Sequence, residues 1–305
     1  MSEEVPAGRR PVGLFVGLCT LDVVQLVDHV PRANEKLTAR RQVVAAGGPA
    51  ANAAVTFAHL GGTATLLTAI GRHPLGQAAA ADLAERGVTV TDLAARSSAP
   101  PAVSSILVTA ASGERAVAST NATGQRVSPP PDLDAMVAAC DVAEFDGHHP
   151  RLATAAARAA AAARRPTVLD GGSWKPGLGD LLEAIDVAVC SADFHPPGVG
   201  GPAETLRFLR RHGVTWAAVS RGGEPIVWAG PDGSGTVAVP SVPVADTLGA
   251  GDVLHGALTR HLARRGTTAG KALTTQIFVE GLREAAQAAS RSCASFGTRA
   301  WMRES

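Results

Sequence analysis

Two glycine-marked helix starts carry the residue types that could do chemistry. One reads Ala46-Gly47-Gly48-Pro49-Ala50-Ala51-Asn52-Ala53-Ala54. The other reads Asp246-Thr247-Leu248-Gly249-Ala250-Gly251-Asp252 and runs at once into Val253-Leu254-His255-Gly256-Ala257-Leu258. Glycine lets a chain turn tightly before a helix, and the first helical N–H groups have no partner inside the helix. Those groups and the helix dipole form an anion site. A carboxylate in that first turn is an odd choice if the only task is to hold an anion. It makes sense if the anion is a phosphoryl group in transfer and Asp252 takes a proton from the attacking hydroxyl. On spacing alone, a helix-capping role for Asp252 is equally open. The earlier start places Pro49 in the first turn and its helix closes at Leu60-Gly61-Gly62, so its limits are well marked. Asn52, one turn in, could exchange hydrogen bonds with sugar hydroxyls or simply meet water.

Further polar residues stand at the ends of apolar runs. Asp146-Gly147-His148-His149-Pro150 and Asp170-Gly171-Gly172-Ser173-Trp174-Lys175 both follow such runs, where sites of α/β proteins form. Adjacent histidines on one loop seldom share an ion, and no HxxxH or HExxH accompanies them. Asp146 or His148 could touch a sugar; both could equally be loop residues. Trp174 could stack on a sugar face and Lys175 could meet a phosphate; a structural role is equally open for both. Arg115 could meet an anionic substituent or lie on the surface. Two familiar nucleotide motifs are absent. Gly13 and Gly17 do not give GxGxxG, and the stretch from Gly71 to Gly76 continues with Gln77-Ala78 rather than Lys-Ser/Thr.

The elements that position these residues follow from the apolar pattern. Short non-alternating runs at 12–19, 64–70, 141–145, 167–170, 186–190 and 215–220 read as strands buried on both faces. Helical stretches at 50–60, 75–86, 151–164, 179–184 and 203–212 separate them, and two long helices at 250–265 and 268–295 follow. Such alternation predicts a parallel sheet with helices on both sides. Segments 21–30, 42–45, 102–109 and 115–119 break the rhythm as a small β layer, and 225–239 forms a hairpin turning over residues 230–235. The expected architecture is a single domain over residues 1–305. It has three α/β/α layers, a mostly parallel central sheet and a small β lid from about 20–45 and 101–120. Asp22 and Asn52 must then meet Asp252 across one cleft.

Composition removes other classes. The chain has 305 residues, 46% hydrophobic and 18% charged, which disfavours disorder. Lys+Arg 28 against Asp+Glu 27 leaves no basic excess for a nucleic acid. Cys19, Cys140, Cys190 and Cys293 form no CxxC pair and read as buried thiols of a reducing compartment. The apolar run at 12–19 is preceded by acids and is too short for a signal peptide, and no stretch reaches membrane-span length. A cytoplasmic location is expected.

The two glycine-marked strings, with Gly17-Leu18-Cys19-Thr20-Leu21-Asp22-Val23-Val24, resemble the ribokinase-like (PfkB) family of carbohydrate kinases over nearly the whole chain. Leu21-Asp22-Val23-Val24 through Val27-Asp28 and Pro31, together with Gly251-Asp252-Val253-Leu254-His255-Gly256, look most like the ketohexokinase and sulfofructose kinase branch. The resemblance implies an ATP-dependent sugar kinase with Asp252 as base and Gly249, Ala250 and Gly251 as the anion hole for the γ-phosphate. It also implies sugar contacts from Asp22, Gly48 and Asn52, and a strand-end pair Asp246 and Thr247 near a monovalent cation such as K⁺. Ser220 and Gly222 match the nucleotide loop, and Gly297 a position near the adenine and the cation. The lid matches the family's sugar cover and homodimer contact. The family's Asn-x-x-Glu, which organises Mg²⁺, is replaced here by Ser191-Ala192-Asp193-Phe194, leaving Asp193 as the weak candidate. Ser220-Arg221-Gly222-Gly223-Glu224-Pro225 keeps only the first loop glycine. Nucleoside acceptors, or a non-catalytic sugar-binding regulator, are the alternatives.

Overall fold

The computed structural model describes residues 9–121, 123–266 and 273–303. Glu3 and Glu4 of the N-terminus, and the expected start of the last helix at Thr268, lie outside the described residues.

Among the described residues, thirteen strands form two sheets and eight α-helices accompany them. In chain order the strands are β1 (Val12–Val16), β2 (Thr20–Val27), β3 (Arg41–Gly47), β4 (Thr63–Thr68), β5 (Val88–Asp92), β6 (Ala102–Thr109) and β7 (Arg115–Ser119). They continue with β8 (Val142–Phe145), β9 (Thr167–Gly171), β10 (Val187–Ser191), β11 (Trp216–Arg221), β12 (Glu224–Gly230) and β13 (Gly233–Val237). The helices are α1 (Pro49–His59), α2 (Pro74–Glu85), α3 (Leu133–Ala139), α4 (Pro150–Ala162), α5 (Leu178–Leu182), α6 (Gly201–Arg211), α7 (Ala250–Arg264) and α8 (Thr275–Cys293).

The large sheet runs β13-β12-β11-β10-β9-β8-β1-β4-β5, with every pair parallel except β11–β12 and β12–β13. One face packs Phe15, Leu66, Val168 and Val189 against α1, α2, α7 and α8. The other packs Leu14, Phe145, Leu169 and Ala188 against α3 to α6. These are the three expected α/β/α layers. Chain order reverses between β8 and β1, and ligand crevices form outside strand carboxyl ends at such a switch. The lid is a second sheet, β3-β2-β6-β7, with β2 and β6 parallel and both outer pairs antiparallel. Among the described residues, no helix is long and apolar enough to cross a membrane.

Local chemistry explains where boundaries differ from the sequence pattern. Helices α1, α2 and α4 each begin one residue early, on Pro49, Pro74 and Pro150. Proline favours this position because its missing N–H would have no helical partner there. The first apolar run is split, because the chain turns at Gly17 and enters the lid at Thr20. The hairpin turn is only Pro231-Asp232, with Gly233, Ser234 and Gly235 already paired in β13. Gly235 lies across the indole of Trp228, which a side chain would strike. Strand β5 escapes the buried-run pattern because Val-Thr-Val-Thr-Asp alternates at a sheet edge.

Packing between α1 and α7 sets the site. Helix α1 is alanine-rich and buried at Ala50, Ala51, Ala53 and Ala54. Gly256 of α7 sits against the Ala53 carbonyl and Thr56, where a Cβ would have no room. This close approach brings Asn52 and Asp252, 200 residues apart in sequence, into contact.

Candidate active site

Both helix starts rest on glycines at positive φ. Gly48 has φ 92° and Gly249 φ 74°, a backbone region that side chains disfavour. An added Cβ at Gly48 would meet the Leu18 carbonyl, and one at Gly249 would meet Thr298. After each glycine the helix opens toward the carboxyl ends of the strands. A cleft of about 580 Å³ there is lined by Gly249, Ala250, Gly251 and Asp252, with Asp170, Ser191, Asp193, Ser220 and Gly222 on its walls. Asp193 is exposed, and its amide donates to Ser191 Oγ at 3.0 Å. Ser220 Oγ lies 3.4 Å from the Cys190 carbonyl.

Asp252 is held from one side by a chain of fixed groups. Asn52 Nδ2 donates to Asp252 Oδ2 at 2.6 Å. Arg299, 7% exposed, donates through Nη1 to Asn52 Oδ1 at 2.9 Å and through Nη2 to the Ala46 carbonyl at 2.7 Å. Asp82 lies 3.8 Å from the same guanidinium. Because Arg299 can only donate, it fixes the Asn52 amide with its oxygen inward and its NH₂ toward Asp252. Burial pushes the Asp252 carboxyl up to about 7; Asp170 adds to the rise, while Asn52 and His255 oppose it. A carboxylate poised near neutrality can take a proton and lose it again.

The sugar-side candidates divide. Asp22 is buried in β2, with Thr20 Oγ1 donating to it at 2.5 Å. It shares a lid row with Ser104 of β6 and Ser119 of β7, whose hydroxyls lie 3.1 Å apart. Gly47 has no side chain because the Asp22 carboxylate occupies that space. Burial raises the Asp22 pKa, opposed by the hydroxyls of Thr20 and Ser104. Asp146 is different. It is 1% exposed, and it accepts from the amides of Leu18 (2.8 Å), Ala50 (3.2 Å) and His148 (2.8 Å). His148 Nδ1 lies 3.2 Å from Asp146, turned toward that carboxylate. Burial opposes ionisation of Asp146, yet His148, Lys175 and the Leu18 amide hold its pKa well below the usual range. This pair therefore knits β8 to the β1–β2 turn and to α1.

Several nucleotide-side candidates also act as ties. Asp246 is 2% exposed; Oδ1 accepts from Leu248 N and Oδ2 from Gly297 N, both at 2.9 Å. Thr247 faces the cleft and links it to the lid. Its amide and hydroxyl reach the Gly113 carbonyl at 3.4 and 3.3 Å, and Arg115 Nη1 donates to its Oγ1 at 3.0 Å. Arg221 turns away from the cleft to Glu224 and the Pro225 carbonyl. Trp174 packs edge-on against Phe194 and Phe208, at 5.7 and 5.5 Å between ring centres. Phe194 is thus a core residue. Lys175 is spent on the carbonyls of Asp146 and Ser173.

Three functional neighbours carry weak local signals in the sequence. Arg299 is one of two arginines in a short C-terminal tail, Ser104 a lid hydroxyl in register with Asp22, and His255 a polar residue on the buried face of α7.

Comparison with known proteins shows the family and the fold. The pattern of the pfkB family carbohydrate kinases matches residues 14–303. A ribokinase from Arabidopsis thaliana, complexed with ribose and ATP, is 20% identical with TM-score 0.74 and 94% of each chain covered. A fructokinase with bound ATP from Xylella fastidiosa is 19% identical with TM-score 0.75, covering 95% of this chain and 94% of its own. An adenosine kinase from Sinorhizobium meliloti is 20% identical with TM-score 0.74, covering 95% and 96%. The chain belongs to the pfkB family of carbohydrate kinases, phosphotransferases with an alcohol group as acceptor.

Proposed function

We propose that this protein transfers the γ-phosphate of ATP to a hydroxyl of a small ketohexose- or pentose-type carbohydrate, within the ketohexokinase and sulfofructose kinase branch. The observation that carries the reading is the buried Asp252 carboxylate, aimed by Asn52 and set in the same helix turn as uncovered amides. In this reading Asp22 and the Gly48 backbone hold the sugar, and Asn52 orients the base. The sugar hydroxyl gives its proton to Asp252 as its oxygen bonds to the γ-phosphorus and the bond to ADP breaks. The amides at 249–251 meet the charge on the transferring group, an arrangement that favours the transition state over the ground state.

Ser220 and Gly222 border the phosphate path. ATP brings Mg²⁺, which neutralises phosphate charge; Asp193 on the cleft wall offers the hard oxygen donor that such an ion takes. A monovalent cation beside Asp246 would rest on backbone carbonyls, because both Asp246 oxygens are spent on amides. Homodimerisation through the lid is part of the same reading. The lid's edge strands β3 and β7 expose Val44 (50%) and Val117 (52%). A cytoplasmic site of action fits the free thiols of Cys19, Cys140, Cys190 and Cys293.

The test is ADP release with ATP and Mg²⁺ across fructose, ribose, inosine and sulfated or phosphorylated sugars. Release dependent on one of the sugars supports the reading. Release with inosine alone moves the acceptor to nucleosides. No release with any acceptor, alongside ligand-induced thermal shifts, would point to a sugar-binding protein without turnover.

A further inference from the structure

Beneath Asp252 lies a buried charged cluster that the phosphoryl-transfer scheme above does not use. His255, one turn further along α7, is 3% exposed. Its Nδ1 lies 2.7 Å from the Gly251 carbonyl and its Nε2 lies 2.9 Å from the Val189 carbonyl of β10. Carbonyl oxygens only accept. Both ring nitrogens must therefore carry hydrogen, so this geometry requires the imidazolium. An unpaired buried cation is costly, so its counter-charges should be nearby. Asp170 of β9 lies 3.4 Å from Nδ1. Glu144 of β8 is fully buried and takes a hydrogen bond from Thr259 Oγ1 at 2.6 Å, while its other oxygen has no partner.

We infer that His255 is a positioning residue of the phosphoryl-transfer site: a permanently protonated clamp that fixes the Gly251 peptide and offsets Asp170, so that Asp252 can ionise. This rests on the reading of Asp252 as the base. Two of its contacts bear on the reaction. The bond to the Gly251 carbonyl holds the peptide that follows the anion-hole amide. The positive charge stands against Asp170 of β9 and Asp252 of α7, with the Glu144 carboxyl of β8 beside it; Asp252 is also faced by the uncharged Asn52 of α1, by Asp22 of β2, which adds to the rise in its pKa, and by the buried Arg299. Burial opposes the His255 cation, but Asp170 and Glu144, with the two carbonyls, hold its pKa above the ordinary value. Burial also pushes the Glu144 carboxyl up to about 8, so at neutral pH it stays largely protonated and Asp170 is the principal counter-ion.

The sign of the effect is fixed. Asp170 raises the Asp252 pKa and His255 lowers it. Replacing His255 by a neutral side chain should therefore move the acid limb of turnover to higher pH. Removing the charge of Asp170 as well should bring it back.

The experiment measures kcat and KM from pH 5 to 9 for wild type, His255→Gln, the double variant His255→Gln/Asp170→Asn, and Asp252→Asn. For His255→Gln the expected result is a loss of about tenfold in kcat at pH 7, an acceptor KM within about twofold, and an acid limb raised by about half a pH unit or more. The double variant should lower the limb again. An unmoved limb in His255→Gln, with only a lower Tm, would overturn the inference while leaving the base intact. Undiminished turnover in Asp252→Asn would instead overturn the base reading itself. Should His255→Gln fail to fold, ¹⁵N spectra of the wild-type imidazoles decide the matter. One ring among the nine histidines should keep both N–H protons above pH 8. If none does, the inference fails.

Discussion

The two glycine-marked helix starts are alike in sequence and opposite in what they do with their free amides. At α1, the Ala50 amide is already met by a carboxylate of the protein itself, Asp146, at 3.2 Å. At α7, Ala250 N reaches only the Thr247 carbonyl at 3.4 Å, and the amides of Gly251 and Asp252 belong to a first turn without intrahelical partners. The positive end of α1 is thus satisfied from within, and that of α7 is left to whatever enters the cleft. The electrostatics of the two acids follow. Asp146, surrounded by donors, is held below the usual carboxylate range, whereas Asp252 is pushed up to about 7 by burial and Asp170. A helix start alone does not mark a site; an unanswered one beside a poised acid does.

If this contrast is right, the two aspartates should respond to the same substitution with opposite changes in stability. Asp252→Asn should lower turnover by about 10² or more with ATP affinity nearly unchanged. It should also raise Tm. Asp252 keeps its proton up to about pH 7 in the folded chain, whereas an unfolded carboxyl ionises near 4. Folding is therefore penalised progressively between those values, and the neutral amide escapes the penalty. Thermal melts at pH 7.5 with turnover assays check both; a lower Tm would break the comparison. In the wild type, turnover should rise with pH through about 7.

Asp146→Asn should do the reverse, costing roughly 3 kcal/mol, because an amide sets an NH₂ against several donors. The folded pKa is depressed, so this stability is present above the unfolded value and is lost as pH falls through the folded one. Denaturant titrations at pH 7 and at acid pH should show the gap between variant and wild type narrowing at the lower pH. A gap independent of pH would mean that the carboxylate charge is not what holds α1. Arg299→Met should come next, with a fall of about tenfold in kcat and little change in KM for ATP, because Asn52 loses the group that fixes its amide. Arg299→Lys should not restore turnover, since one ammonium cannot serve both Asn52 and the Ala46 carbonyl in place of the planar fork. Recovery with lysine would show that charge alone suffices.

What the sequence made legible was local chemistry. Glycine and proline mark helix starts within a few residues, so α1, α7 and the acid in the first turn of α7 stand out. The three-layer order follows from runs and spacers in the same way. Arg299 and Asn52 are separated by 247 positions, and nothing around either predicts the bond between them. Asp146 misleads for a related reason. Its strand-end setting is that of a site residue, and its bonds to the amides of Leu18 and Ala50, 128 and 96 positions away, give it a structural task that this setting does not announce. Trp174, whose type and place would let it stack on a sugar, packs edge-on against Phe194 instead. Side-chain roles that depend on distant partners become visible only when the fold is assembled.

The smallest effect is expected at the join between the lid and the α7 start. Arg115 in β7 donates to Thr247 Oγ1, and Thr247 in turn reaches back to Gly113 in the lid turn. These bonds are partly exposed, so their contribution to stability is small. Their position matters more, because they connect the small sheet, proposed above as the sugar's cover, to the string that ends in Asp252. Arg115→Ala should leave Tm within about a degree and raise the acceptor KM roughly threefold, with more ATP hydrolysed per sugar phosphorylated as the lid closes less tightly. Thr247→Val should give a similar change, and the double variant should be little worse than either alone, because both remove one latch. Additive losses would instead mean that Arg115 acts on a ligand directly and that the lid is joined to the α7 start by other means.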